Sequence, residues 1–182
     1  LSSTPFFPQA EYECGPAALA MAITAAGTPI PPEALVPQVY LPARKGSLQV
    51  EMPVAVRRAG LLAYTLAPEL QAVLREVAAG NPVVVFQNLS LPWYPVWHYA
   101  VVIGYDRDAQ TLLMHSGTTA RTPISLSAFE RTWARGNYWA LVALPPDRLP
   151  ATAEAARLAA AVVALERVNP KAALAAYESA LA

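Results

Sequence analysis

The chain has 182 residues, with 13 basic and 13 acidic side chains and a formal net charge of zero. That balance offers no electrostatic case for nucleic acid or an anionic membrane surface as partner. A single cysteine excludes an internal disulfide, and no apolar run is long enough to span a bilayer. The length suits one domain of ordinary size with a small appendage. The chain starts at Leu1 rather than methionine, which points to a mature or trimmed form with any signal or lipid-anchor segment outside it.

In chain order, Leu1 to Pro8 reads as an extended lead-in with Phe6 and Phe7 packed. Pro16 to Ala26 is a helix closed near Gly27, and Thr28 to Pro32 a proline-rich turn. Pro32 to Gln38 reads as a short helix, Leu41 to Gln49 as a loop. Ser47 is the expected N-cap of a helix over Leu48 to Ala59, closed by Gly60. Leu62 to Leu66 has strand character. Pro68 to Ala79 is a third long helix, stopped by Gly80-Asn81-Pro82. The period then changes. Val83 to Gln87 is a continuous apolar strand, Leu91 to Trp97 a proline- and aromatic-rich loop, and Tyr99 to Tyr105 a second buried strand. Asp106 to Gln110 is a turn and Thr111 to His115 a strand, so residues 99 to 115 form a hairpin. Ser116 to Thr119 is polar and loop-like. Ser125 or Ser127 caps a short helix through Trp133, and Tyr138 to Leu144 is the last strand. Helices first and an antiparallel sheet afterwards make the fold class α+β.

Residues 145–150, Pro-Pro-Asp-Arg-Leu-Pro, read as a linker. Thr152 to Arg167 is an alanine-rich helix broken at Asn169-Pro170, and Lys171 to Ala182 a second helical run. This helix–turn–helix fits a tetratricopeptide-type unit. One such unit cannot bury its own face, so either more repeats follow or the helices pack on the main domain. The expected division is residues 1–146 as the main domain and 147–182 as linker and helical hairpin.

The chemistry concentrates at Cys14. Its flanks, Glu11, Glu13, Gly15 and Pro16, are not those of a core position, and the apolar run begins only at Ala17. A thiol ahead of a helix lies at the positive end of the peptide dipoles, which favours the thiolate. Gly15 permits a tight turn beside the sulfur, and Pro16 suits the first helical position. Gln9 carries an amide that can reach back over the same spot. A nucleophile needs a base. The two histidines are His98, at the mouth of the Tyr99 strand, and His115. Asp106 and Asp108 lie at the far end of the hairpin from His98. Two histidines and one cysteine spread this widely give no metal site, and no cofactor is expected. Trp93 and Trp97 either wall a substrate groove or pack in the core.

The stretch Gln9…Glu13-Cys14-Gly15-Pro16-Ala17-Ala18-Leu19-Ala20-Met21, with Trp97-His98-Tyr99-Ala100-Val101-Val102-Ile103-Gly104-Tyr105, resembles the C39 and C39-like cysteine peptidases, bacterial relatives of papain. The resemblance covers residues 4 to 145. It implies a papain-like fold, with N-terminal helices on an antiparallel sheet. It implies Cys14 as nucleophile, His98 as base, and Gln9 with the Cys14 N–H as oxyanion donors. Gln9 lies five positions before the cysteine where many members have six. The family carries an aspartate or asparagine after the strand that follows the histidine, and Ser116 takes that place here. The expected site is therefore Cys14, His98, Gln9 and Ser116, with Gly15, Trp93, Trp97 and Tyr99 contacting substrate. A helical tail after such a domain also resembles a bacterial subgroup that is exported or lipid-anchored. Two functions stand: a cysteine peptidase acting on a peptide or protein, and a weak or inactive peptide-binding scaffold whose C-terminal helices dock a protein partner.

Overall fold

A computed structural model describes residues 1–9 and 13–182, so the polar flank at Glu11 lies outside the described residues. Eight strands and seven α-helices follow in the order α1 (Cys14–Ala25), α2 (Pro32–Val39), β1 (Tyr40–Leu41), a 3-10 turn (Pro42–Arg44), β2 (Gly46–Ser47), α3 (Glu51–Arg58), β3 (Leu62–Thr65), α4 (Leu70–Ala78), β4 (Val83–Asn88), β5 (Trp97–Asp106), β6 (Thr111–Ser116), β7 (Thr119–Ser125), α5 (Leu126–Ala134), β8 (Ala140–Leu144), α6 (Ala155–Glu166) and α7 (Pro170–Leu181). The main sheet is antiparallel, in the order β3-β8-β4-β5-β6-β7, and β1 and β2 form a separate two-stranded ladder. The fold class is α+β, as expected.

Both faces of the sheet are covered, which is why its central strands read as unbroken apolar runs rather than as alternating ones. On one face, Val84, Val101 and Ile103 meet α1, α2 and α3 through Leu19, Leu35 and Val56. On the other, Val85, Val102 and Val142 meet α4, α5, α6 and α7 through Val73, Trp133, Leu165 and Ala176. Residues Gly15 to Ile23 of α1 are all buried. A helix apolar all round is a core helix, and this one lies against β5, β4 and β8.

Two elements depart from the sequence reading. Ser47 does not cap α3. It ends β2, and α3 begins at Glu51 after Val50. The stretch expected as a polar loop at Ser116–Thr119 joins β6 to a further strand, β7. Its residues are mostly exposed because β7 is the sheet edge, and an edge strand carries polar side chains that give no alternating signal. The expected serine cap of α5 is Ser125, which accepts from the Ala128 N–H at 3.3 Å.

The tail is built into the domain. Buried Glu76 accepts from the Thr152 N–H at 2.8 Å, from the Thr152 hydroxyl at 2.6 Å and from the Asn81 amide at 2.6 Å. Arg148 donates to the Ala79 carbonyl at 2.6 Å. A buried carboxylate demands donors, and two of the three come from Thr152, at the start of the expected tail helix. Ala161, Val162 and Leu165 of α6 and Ala173 and Ala176 of α7 belong to the second core. Asn169 caps α7 through the Ala172 N–H at 3.0 Å. The helices thus bury their apolar stripe against β3 and the sheet.

Leu165→Ala therefore destabilises the whole domain by about 2–5 kcal/mol, the range for truncating a fully buried leucine. Urea unfolding followed by both far-ultraviolet circular dichroism and tryptophan fluorescence checks this. One shared transition at lower midpoint is expected; an unmoved main transition would mean that the tail folds apart from the domain.

Candidate active site

α1 begins at Cys14, with Glu13 at its cap position and no side chain capping it. Its orphan N–H groups are those the sulfur meets. The backbone N–H groups of Cys14 and Gly15 and that of Tyr99, from β5, all donate toward Cys14. Gly15 is required by a close approach. A Cβ there would stand 2.5 Å from the Ser47 Cβ, overlap its hydroxyl, and reach within 3.5 Å of the Tyr99 ring. Tyr99 is buried, and its hydroxyl donates to the Ser47 carbonyl at 3.1 Å. So β2, α1 and β5 lock together around one glycine.

Tyr99 also serves through its main chain. Its N–H points to the sulfur, and its C=O accepts from the Gln9 side-chain amide at 3.4 Å. Gln9 is held from the other side by Gly117. The Gly117 N–H donates to Gln9 Oε1 at 3.1 Å, and the Gln9 N–H donates to the Gly117 carbonyl at 3.1 Å. Gly117 has φ of 59°, the left-handed region where glycine costs least. The second N–H of the Gln9 amide is not consumed by the contact to Tyr99.

His98 shares strand parity with Ala100 and Val102, which face the second core. It lies instead at the open end of β5, one residue from the strand's start, and shares a 2.8 Å hydrogen bond from Nε2 to Ser116 Oγ. Nδ1 is then the ring nitrogen left for other work. Asp106 ends the same strand, at its opposite extreme.

Cys14, His98, Gln9, Gly117 and Tyr99 line one cleft of about 960 Å³. One wall is aromatic: Trp97, half exposed, stacks on Phe86 with ring centres 5.0 Å apart and an angle of 10°. Residues 44–49 also line the cleft. Trp93 stands outside this lining, 79% exposed at the tip of the β4–β5 connection. Neither tryptophan is a core residue. Gly15 is buried beneath the site rather than in its lining. Gly117 was missed from sequence, although a glycine directly after Ser116 is a signal for a turn with positive φ. Among the described residues no group of three or more metal-ligating side chains converges, and no helix is long and apolar enough to cross a membrane.

The electrostatics differ from the expectation of a thiolate. Burial pushes the Cys14 thiol above its ordinary range, and this outweighs the three backbone donors that pull it down. Burial likewise lowers the His98 imidazole below its ordinary value. Desolvation penalises both charged forms, and among the described residues no carboxylate on His98 offsets it. Both shifts favour the uncharged forms near neutral pH, a thiol on Cys14 and a neutral imidazole on His98, across one cleft.

Comparison with known proteins comes to the same class. Residues 2–140 match the Peptidase_C39 like family, and the chain belongs to it. No curated protein sequence matches. Among solved structures, a C39-like peptidase from Bacillus anthracis is similar at a TM-score of 0.66 and 17% identity, covering 79% of this chain and 96% of that one. The peptidase domain of Streptococcus ComA, a bifunctional ABC transporter of a quorum-sensing pathway, gives 0.61 and 18%, covering 78% and 98%. A double-glycine-motif protease from an AMS/PCAT transporter, solved with a leader peptide, gives 0.56 and 21%, covering 76% and 89%. At these identities the likeness is one of fold. The family match stops before α6 and α7, and nothing in the comparisons relates those helices to tetratricopeptide repeats.

Gly15→Ala lowers stability by about 1–3 kcal/mol, the cost of overpacking. Pairing it with Ser47→Gly, which removes the colliding group, restores most of that loss. Thermal unfolding of the two single variants and the double variant measures the rescue; simple addition of the losses would mean that Ser47 is not the obstacle.

Proposed function

We propose that this chain is a cysteine peptidase that hydrolyses peptide bonds in a peptide or protein bound in the cleft. The observation that carries the reading is that Cys14, His98 and Gln9 line one cleft, with the His98 Nε2 tied to Ser116. The Cys14 Sγ attacks a peptide carbonyl and its proton passes to His98. The S–C bond forms as the carbonyl π-bond opens to an oxyanion, held by the Gln9 amide and the Cys14 N–H. His98 then gives the proton to the amine as the C–N bond breaks. Water attacks the thioester, its proton passing through His98, and the S–C bond breaks to release the acid and restore the thiol.

Ser116 orients the ring without adding charge. It fixes His98 for proton transfer from Nδ1 but stabilises imidazolium less than a carboxylate does. His98 therefore acts as a general base on a neutral thiol rather than as one half of a standing ion pair. The same observation supports a second reading, a peptide-binding scaffold with little turnover. In that reading the outward face of α6 and α7, where Leu174 and Leu181 are exposed, docks a protein partner.

Incubation with a peptide library decides between the two. Wild type cleaves and Cys14→Ala does not, while Gln9→Ala lowers kcat by about 100-fold, as for loss of an oxyanion donor. Peptides retained but uncut by wild type would sink the peptidase and leave the scaffold.

Alkylation by iodoacetamide reads the thiol directly. Because burial raises Cys14, the rate keeps climbing with pH beyond the ordinary thiol value of 9.0. Ser116→Asp places a carboxylate on His98, raises the imidazole and lowers the thiol, and speeds alkylation at pH 7 by about tenfold. A rate plateau already reached near neutral pH in wild type would contradict the neutral resting pair.

A further inference from the structure

His115 is used by none of the steps above, yet it is 3% exposed and fully engaged. The Arg121 backbone N–H, from β7, donates to its Nδ1 at 3.2 Å. Nδ1 is therefore unprotonated, the neutral ring carries its proton on Nε2, and that N–H donates to the Thr4 carbonyl at 3.3 Å. The Phe6 ring lies 5.2 Å away. One imidazole thus ties the lead-in segment, at Thr4, to the β6–β7 hairpin, at Arg121. Five residues after Thr4 comes Gln9, paired with Gly117, and directly after His115 comes Ser116, bonded to His98. The two segments that the ring joins are the two that carry the oxyanion amide and the orienting hydroxyl.

We propose that His115 is a positioning residue for the site: its neutral ring clamps the lead-in segment to the hairpin turn Ser116–Gly117, and proton uptake on Nδ1 opens that clamp. A proton on Nδ1 turns an acceptor into a donor facing the Arg121 N–H, so one hydrogen bond must break. Among the described residues, the charged groups facing the ring are Arg121 from β7 and the Leu1 ammonium from the lead-in, and both oppose a further positive charge. β5 sets Val101 opposite it, and Met114 and Ser116 flank it on β6. Burial, the largest influence, and these two cations hold the His115 imidazole below its ordinary 6.5, against the pull of the Thr4 carbonyl. The neutral clamp is thus complete above pH 6.5, the unfolded value, and is lost as pH falls through the lower folded one. The bearing on catalysis rests on the peptidase reading; the clamp itself does not.

Nitrogen-15 NMR of the histidine rings between pH 8 and 4.5, with amide exchange of Gln9, Gly117 and Arg121 measured on the same samples, tests this. The expected result is an Nε2–H tautomer at pH 8. Once intrinsic exchange rates are divided out, protection at all three amides falls about tenfold with a midpoint that tracks His115. That loss persists in His98→Ala and is absent in His115→Gln, which does not titrate. Protection that survives His115 protonation, a loss that follows His98 and vanishes in His98→Ala, or an Nδ1–H tautomer at pH 8 would each overturn the proposal. The wild-type and His98→Ala titrations decide the matter even if His115→Gln fails to fold. Absence of peptide cleavage alongside an intact clamp would count against the peptidase reading alone, and cleavage without the clamp against this proposal alone.

Discussion

The site follows from the burial of α1 against the centre of the sheet. Nine consecutive residues of that helix, Gly15 to Ile23, are out of water, and an apolar surface of that size fixes the helix in both position and depth. Its first residue then stops at the open end of β5, where the Tyr99 N–H meets the sulfur. Gly15 sets how closely the helix can come, because the Ser47 side chain occupies the space that a Cβ would need. Helix burial, glycine and strand end together place a thiol among three backbone donors.

That same burial works against ionisation. A helix N-terminus lowers a thiol pKa when the sulfur stays solvated. Here desolvation is the larger influence on Cys14, and on His98 it is the only one resolved. A carboxylate in place of Ser116 would shift the balance by favouring imidazolium. With a hydroxyl, the arrangement holds the ring's geometry without charge.

One short turn organises the remaining parts. Ser116 bonds His98, Gly117 pairs with Gln9, and His115 ties the same turn to the chain's first residues. Three adjacent positions of a sheet-edge hairpin therefore join His98, Gln9 and the lead-in segment. On the far face, Glu76 and the apolar stripes of α6 and α7 close the second core and keep β3 and β8 covered.

Most of the framework was legible in the sequence. The apolar run after Cys14, the continuous strands at Val83 and Tyr99 and the Asn169-Pro170 break are local signals, and each dictates its element through periodicity or backbone chemistry. Cys14, Gln9 and His98 were legible as candidates because residue type and flank restrict what they can do. What the sequence could not reveal depends on neighbours distant in the chain. β7 is a strand because β6 offers it a ladder, although its own residues are polar. Ser47 packs its side chain against Gly15 and offers its main-chain carbonyl to the Tyr99 hydroxyl rather than capping a helix. The tail joined the core because β3 presented an apolar face and Glu76 required donors. The ionisation of the thiol was settled by desolvation, a property of everything packed around an atom, and no stretch of sequence encodes that by itself.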